Sequence, residues 1–327
     1  MADHKPSMYE LEYPAPEVST PENSGPTLII ALHGYADAGQ AVEAGAKHLR
    51  AALDHRTLAS FNSDELIDYR SRRPVVTIDH NEVVRSDDLN LGLDVIRDSQ
   101  GKSFLLLSGP EPDLRWEAFS RSVSELADRF NVDKTVCLYA APMAVPHTRP
   151  LVITAHGSNP ETTSNFFKMD TKITIPGSAS LQIERMLTKK GRDVSGLTAH
   201  VPHYLSASDY PEATWQLLNA AASIAELDLP LRSLQADAER VMGLVQEQVA
   251  ESQEIQAVVH ALESQYDEEL ARYQQEHPQQ LLPGVTDVPS GEELGQEFEK
   301  FLAELEQGED PYHGDNGSGP NAEEDTP

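Results

Sequence analysis

The sequence predicts an α/β fold: a three-layer α/β/α sandwich around a mostly parallel sheet, followed by an all-helical C-terminal lid. Three observations carry that prediction. Five short runs, at 27–32, 74–78, 104–107, 135–139 and 151–154, are nearly continuous in aliphatic and β-branched residues. Strands covered on both faces by crossover helices look like that. Amphipathic helical patterns alternate with these runs, which is the mark of an α/β domain. From about residue 207 the pattern is helical throughout.

Taken in order, the first run ends at His33-Gly34, and Asp37-Ala-Gly-Gln40 has the form of a capping box. Val42, Ala46 and Leu49 then fall on one helical face. Trp116, Phe119, Val123, Leu126, Ala127 and Phe130 keep i, i+3, i+4, i+7 spacing, which makes a core-facing helix between two buried strands, a βαβ unit. Residues 172–175, the Pro176-Gly177-Ser178 turn and residues 179–183 read as a β-hairpin. An isolated hairpin needs a surface to pack on. That surface is its own domain or a neighbouring subunit, and Phe166, Phe167 and Met169, just before it without a helical partner, count for the neighbour.

Asp209-Tyr-Pro-Glu212 opens a helix carrying Trp215, Leu218, Ala222 and Ala225. A second stripe runs Leu234, Ala238, Val241, Val245, Val249. Ser252 caps a third, with Ile255, Val258, Val259, Leu262, Tyr266, Leu270 and Tyr273, which His277-Pro278 ends. A last helix is expected from Ser290, burying Leu294, Phe298, Phe301 and Leu305. The expected domains are an α/β core at 1–206 with the hairpin arm near 172–183, a helical domain at 207–307, and a disordered acidic tail at 308–327.

Composition narrows the function. The 327 residues hold 54 acids against 25 Lys and Arg, a formal net charge of −29. Nucleic acid and anionic membrane both demand clustered cations, so neither is an expected partner. Cys137 is the lone cysteine, which excludes an internal disulfide and a cysteine-built metal centre. Inside a buried run it reads as an inert small hydrophobe. No apolar stretch reaches the ~20 residues of a membrane span, and the first residues lack the layout of a signal peptide. A soluble, cytoplasmic protein is expected.

In an open α/β sheet, ligands bind beyond the carboxyl ends of the strands. The segments that follow the apolar runs supply the candidates for a ligand pocket: His33, Gly34, Tyr35 and Asp37; Gly109 and Glu111; Met143; His156, Gly157, Ser158 and Asn159; His203 and Tyr204. His147 and His200 lie in the same set of segments. Gly34 reads first as a position allowing positive φ and Asp37 as a helix cap. The helix opening after Asp37 also offers N–H groups that suit a phosphate or carboxylate. No G-x-S-x-G elbow, G-x-G-x-x-G turn, G-x-x-x-x-G-K-[ST] loop or H-E-x-x-H helix occurs. The sequence therefore names no nucleophile, no metal and no cofactor.

Several of these strings resemble a known family. Ala31-Leu-His-Gly-Tyr-Ala-Asp-Ala-Gly39 is similar to the opening motif of the proteasome assembly chaperone 2 family, with Tyr35 in the aromatic place. Ser108-Gly-Pro-Glu-Pro112 with Trp116 and Phe119 resembles its second segment. His156-Gly-Ser-Asn-Pro160 and Val201-Pro-His-Tyr-Leu205 resemble segments of its long actinobacterial members. The resemblance covers about residues 25–275. It implies a three-layer fold of the kind seen in purine nucleoside phosphorylases and some peptidases, and a C-terminal helical layer over the crevice. It implies no catalytic residue, since the family takes its name from members that assist proteasome ring assembly without catalysis.

Two functions follow as expectations. One is a non-catalytic binding or assembly protein, a homo-oligomer joined through the 172–183 hairpin, with a trimer as the form that phosphorylase-like assemblies suggest, and with a protein or small molecule held at the crevice. The alternative is a hydrolase or phosphorylase-like transferase acting on a small anionic metabolite, with His33, His156 or His203 as acid–base groups under the helical lid. The two separate on geometry: the second needs those histidines to converge on one pocket.

Overall fold

A computed structural model describes residues 8–18, 20, 24–86, 89–167 and 172–277. Met169, the helix expected from Ser290 and the acidic tail lie outside the described residues. The element order is β1 (Tyr9–Leu11), β2 (Leu28–His33), α1 (Ala41–Ala52), β3 (His55–Phe61), α2 (Ser63–Leu66), β4 (Val76–Asp79), β5 (Glu82–Ser86), β6 (Gly92–Arg97), β7 (Ser103–Pro110), α3 (Trp116–Arg129), β8 (Lys134–Met143), β9 (Ile153–Gly157), α4 (Ala179–Lys189), β10 (Asp193–Pro202), α5 (Pro211–Ala225), α6 (Arg232–Ala250) and α7 (Gln253–Glu276).

Eight strands form one sheet in the order β1-β3-β6-β7-β2-β8-β10-β9. Its centre, β7-β2-β8-β10, is parallel. The β1-β3-β6 flank joins β7 through antiparallel pairs, and β9 closes the other edge antiparallel to β10. Alternate residues of the central strands feed two cores. Ile29, Ala31, Leu106, Val136, Leu138, Leu197 and Ala199 pack under α1 and α5. Leu28, Ile30, Leu105, Leu107, Cys137 and Tyr139 pack under α3 and α4. This period of two on a doubly covered sheet is why the runs at 27–32, 104–107 and 135–139 read as unbroken apolar stretches. Each fully buried Phe, Leu or Ile contributes about 1.5–3 kcal/mol by leaving water.

The helical stripes seat as their spacing demands. Val42, Ala46 and Leu49 of α1 enter the first core, and Phe119, Val123, Leu126 and Ala127 of α3 enter the second. Helix α5 is part of the sandwich: Ala213, Leu217, Leu218 and Ala221 are buried beside α1, and the compact unit that holds the sheet continues through α6 and α7. The sequence had placed α5 in a separate helical domain, because an amphipathic stripe does not reveal which surface it covers.

Two expected strands are corrected. Residues 172–178 form no strand, and 179–189 form α4, so the hairpin near 172–183 does not exist. Ser178 caps α4, its hydroxyl accepting from Leu181 N at 3.2 Å, and Ala179, Ile183 and Leu187 are buried four residues apart. The run at 74–78 does not enter the main sheet. It yields β4, which pairs with β5 in a separate two-stranded sheet, all of whose positions are exposed. A tight turn with His80 at φ 56° closes this hairpin locally. The places near the sheet edge go instead to β3 and β6, whose charged residues disguise them in the sequence.

Helix α7 is fastened to the connection between β8 and β9. Arg149 forks onto Asp267 at 2.8 and 2.9 Å and reaches Glu263 at 3.2 Å. Tyr266 donates to Pro150 O at 2.8 Å, and Phe167 stacks on Tyr273. Among the described residues no helix is long and apolar enough to cross a membrane.

Candidate functional site

The carboxyl ends of β2 and β7 meet at one rim, where His33 pairs in register with Pro110. There a cavity of about 630 Å³ opens between α1 and the β4–β5 hairpin. From the predicted set His33 and Gly109 line it. Because Ala31 faces the α1 core, His33, two residues on, faces α1 too. Burial pushes its pKa below the ordinary histidine value, against the attraction of Glu43. Gly109, at φ 138°, passes so close to the segment before β6 that a Cβ would lie 2.4 Å from Asn90 O. No other residue fits there.

The same rim carries Gly34, Tyr35, Asp37, Glu111, Met143, His203 and Tyr204, outside the cavity wall. Gly34 does not use positive φ; its value is space, since a Cβ would press on Arg72 and Glu111 at 3.1 Å. The left-handed residues of this turn are Gly39, at φ 68°, and Gln40, at φ 52°. Asp37 caps α1 without the expected box: its carboxylate accepts from Val42 N at 2.7 Å and Glu43 N at 3.3 Å, while Gln40 holds the N-cap position. Burial raises its pKa to about 6 although those N–H groups pull the other way. Glu111 is buried and structural: Oε1 accepts from Ala179 N at 2.6 Å, fixing the start of α4, and Oε2 lies 3.5 Å from Tyr35 N. Tyr35 itself is 68% exposed. Met143 ends β8 opposite Pro202. Tyr204 is held by His147, whose N–H donates to its hydroxyl at 2.9 Å and whose Nδ1 lies 2.7 Å from it. His203, exposed on the same short helical turn, packs its ring edgewise on Tyr204.

His156, Gly157, Ser158 and Asn159 are not part of this rim, which corrects their place in the pocket. Strand β9 is antiparallel, so its carboxyl end lies beside the start of β10: Gly157 pairs with Ser195. Ser158 donates to Arg192 O at 3.0 Å and accepts from Val194 N at 2.9 Å, and Asn159 donates to Asp193 at 3.0 Å. These residues stitch β9 to β10 at the opposite rim. His156 faces α4, where Nε2 meets Glu184 at 3.0 Å, and Tyr139 donates to the other Glu184 oxygen at 2.6 Å. The Glu184 hydrogen bond raises the His156 pKa. Burial, with Glu184 alongside, pushes the Cys137 thiol and the Tyr139 phenol well up, so both stay protonated.

The cavity's character comes from residues the sequence reading did not select. Lys47 and Arg50 of α1 and Arg73 and Arg85 of the hairpin segment all line it. Among the described residues Glu43 is the one acid on the wall, and it pairs with Lys47 at 2.7 Å. Arg50 Nε lies 3.1 Å from the buried Asp94. The Ser108 hydroxyl, on the wall beside Gly109, is buried and makes no hydrogen bond to any described residue. The spacing Glu43, Lys47, Arg50 was a legible sign: it is one face of α1, flanking its buried stripe. Neither α6 nor α7 contributes to the wall. Among the described residues no three His, Cys, Asp or Glu gather to hold a metal ion.

The geometry defines a class: an α/β/α sandwich with a cationic cavity at the carboxyl rim of its parallel strands. The family model of the PAC2 family matches residues 31–249, and the chain belongs to that family. Among solved structures, a Corynebacterium glutamicum protein of unknown function is 61% identical with a TM-score of 0.79, covering 82% of this chain and 100% of that one. A Mycobacterium tuberculosis protein of unknown function is 47% identical with a TM-score of 0.81, covering 83% and 92%. A second M. tuberculosis protein, described as a proteasome-assembly chaperone homologue, is 26% identical with a TM-score of 0.65, covering 71% and 99%. No curated protein matches the chain.

Proposed function

We propose that this protein is a non-catalytic binding or assembly protein of the cytoplasm, working as a homo-oligomer on a protein partner. The observation that carries the reading is the dispersal of the three histidines an enzyme would need. His33 faces α1, His156 faces α4 and is locked to Glu184, and His203 stands past the end of β10. An acid–base pair must lie within hydrogen-bond reach of one reacting group, and a sheet separates the first two. The relative described as a proteasome-assembly chaperone homologue supports an assembly role.

The arm that serves self-association in this reading is β4–β5. Val75, Val76, Ile78, Val83 and Val84 are 47–68% exposed on a two-stranded ribbon, and such a ribbon is marginal in water without a surface to cover it. A second copy fits by charge, because Arg73 and Arg85 flank these valines while the chain as a whole carries −29. A trimer is the expected number.

The test is paired. Light scattering on the full chain reads the oligomer mass, expected at three times 36.0 kDa. Crosslinking in the source cells, with mass spectrometry, reads the partner. A protein recovered in fixed ratio to the wild-type chain supports the reading. Turnover of a metabolite that is abolished by His33→Ala or His156→Ala refutes it.

A further inference from the structure

We infer that the junction of α6 and α7 is a docking surface for a basic amphipathic helix of a protein partner; the inference rests on the protein-partner reading above and gives that partner its chemistry. In α6 the apolar stripe starts under cover, with Leu234 and Ala238 buried where the helix packs on α5. It continues on the same line through Val241, Val245 and Val249, which are only half-buried. In α7 the stripe Val259, Leu262, Tyr266 is buried, and Ile255 stands one turn further along the same line toward α6. Ile255, its neighbour Val258 and Leu244 of α6 are 45–51% exposed. Single exposed apolar side chains are ordinary. Here two stripes both outrun their cover where Glu251 and Ser252 join the helices, and that makes a patch.

The second observation is charge. From Val241 to Ala271 the chain has seven acids and neither Lys nor Arg. Arg240, just before this stretch, pairs with Asp237 at 3.0 Å. Glu263 and Asp267 are taken by Arg149. Glu247, a turn beyond Leu244, Glu254, a turn before Val258, and Glu251 between the helices form no ion pair among the described residues. An apolar strip edged by unpaired carboxylates is complementary to one edged by Lys and Arg. A second copy would set these acids against their like, and residues 278–327, with 13 acids and one Lys, are no better matched.

The form of the occupant follows from the surface. The interior backbone groups of α6 and α7 are used within each helix, so an extended peptide would find no ladder to join. A helix needs only side chains: its i, i+3, i+4 and i+7 positions pack against two neighbouring stripes as the third helix of a bundle does. Lys and Arg at its borders reach the carboxylates while their methylene stems lie on the apolar strip. Rim charges of this kind speed association and make it sensitive to salt more than they add affinity.

The experiment is a fluorescence-anisotropy titration of a synthetic helical peptide, with Leu at the heptad a and d positions and Lys at the others, by the full chain. The comparators replace every Lys by Glu, or every Leu by Ser. Saturable binding of the Leu/Lys peptide alone is expected, weakened about tenfold or more by Leu244→Gln/Val258→Gln, about 1.4 kcal/mol at tenfold. Glu247→Gln/Glu251→Gln/Glu254→Gln should weaken it as well, while Glu292→Gln/Glu293→Gln/Glu297→Gln, which removes as much charge elsewhere, should not. The side chains replaced at the junction are exposed, so the melting temperatures of those variants should match wild type and certify the fold. No saturable binding, equal binding by either comparator, undiminished binding by either junction variant, or equal weakening by the Glu292 set would each overturn the assignment. So would a lower light-scattering mass for Leu244→Gln/Val258→Gln, since a second copy would then be the occupant. Crosslinking in the source cells keeps the two readings apart. A partner captured equally by wild type and by that variant removes this surface alone, whereas saturable peptide binding with no captured partner supports the surface and counts against the assembly role.

Discussion

The two faces of the sheet carry similar chemistry arranged in opposite ways. On the α4 face His156 and Tyr139 each take one oxygen of Glu184, at 3.0 and 2.6 Å. On the α1 face His33 and Glu43 line an open cavity beside Lys47, which pairs with Glu43, and Arg50, which pairs with the buried Asp94. Both sets contain a histidine and a carboxylate, so residue type does not distinguish them. Pairing does. On the α4 face the carboxylate is hydrogen-bonded to the histidine, which raises the His156 pKa; on the α1 face Lys47 takes the carboxylate, so burial prevails and the His33 pKa falls.

The comparison breaks most visibly at Glu184. Glu184→Ala leaves the buried Tyr139 hydroxyl without its acceptor and His156 without its counter-charge, and should cost about 3 kcal/mol in urea unfolding. Lys47→Ala, its counterpart on the open face, should stay within about 0.5 kcal/mol.

A second contrast is in the sign of the pH response. Burial lowers the pKa of His200 to about 4; its Nε2 lies 3.2 Å from Thr154 Oγ1. The unfolded chain therefore takes up that proton first, and stability present above pH 6.5 is lost as pH falls toward 4. The loss is on the order of 2–3 kcal/mol, and His200→Asn should remove that part of the slope. His156 behaves oppositely: its raised pKa gives stability that is complete below pH 6.5 and is lost as pH rises through the folded-state value. His156→Gln should flatten that part of the curve.

Smaller effects sharpen the picture at the shared rim. Asp37→Ala removes the acceptor for Val42 and Glu43 N–H and should cost about 1 kcal/mol as a lost cap. Val76→Asp/Val83→Asp, on the exposed hairpin, should change unfolding energy by under about 0.5 kcal/mol per site while reducing the light-scattering mass to that of one chain. An unchanged mass would remove the arm from the oligomer.

What the sequence made legible follows the range of the forces involved. The central strands, the α3 stripe and the Asp37 cap rest on local spacing, and each was readable. The direction of β9 was not, because it depends on pairing with β10 some forty residues on. That one reversal sends Gly157, Ser158 and Asn159 to the far rim. Residues 179–183 were cut too short: extended to Leu187, the spacing Ala179, Ile183, Leu187 is helical. The run at 74–78 looked buried because an exposed apolar ribbon and a core strand are built from the same residue types. The basic side chains of the cavity wall were missed because they come from a helix and a hairpin, 12 or more positions apart outside α1.

The most direct measurement of the division between the faces is a histidine-selective NMR pH titration of the full chain. The His33 ring should titrate below the ordinary histidine value and the His156 ring above it. Midpoints in the reverse order, or one shared midpoint for both rings, would contradict the account.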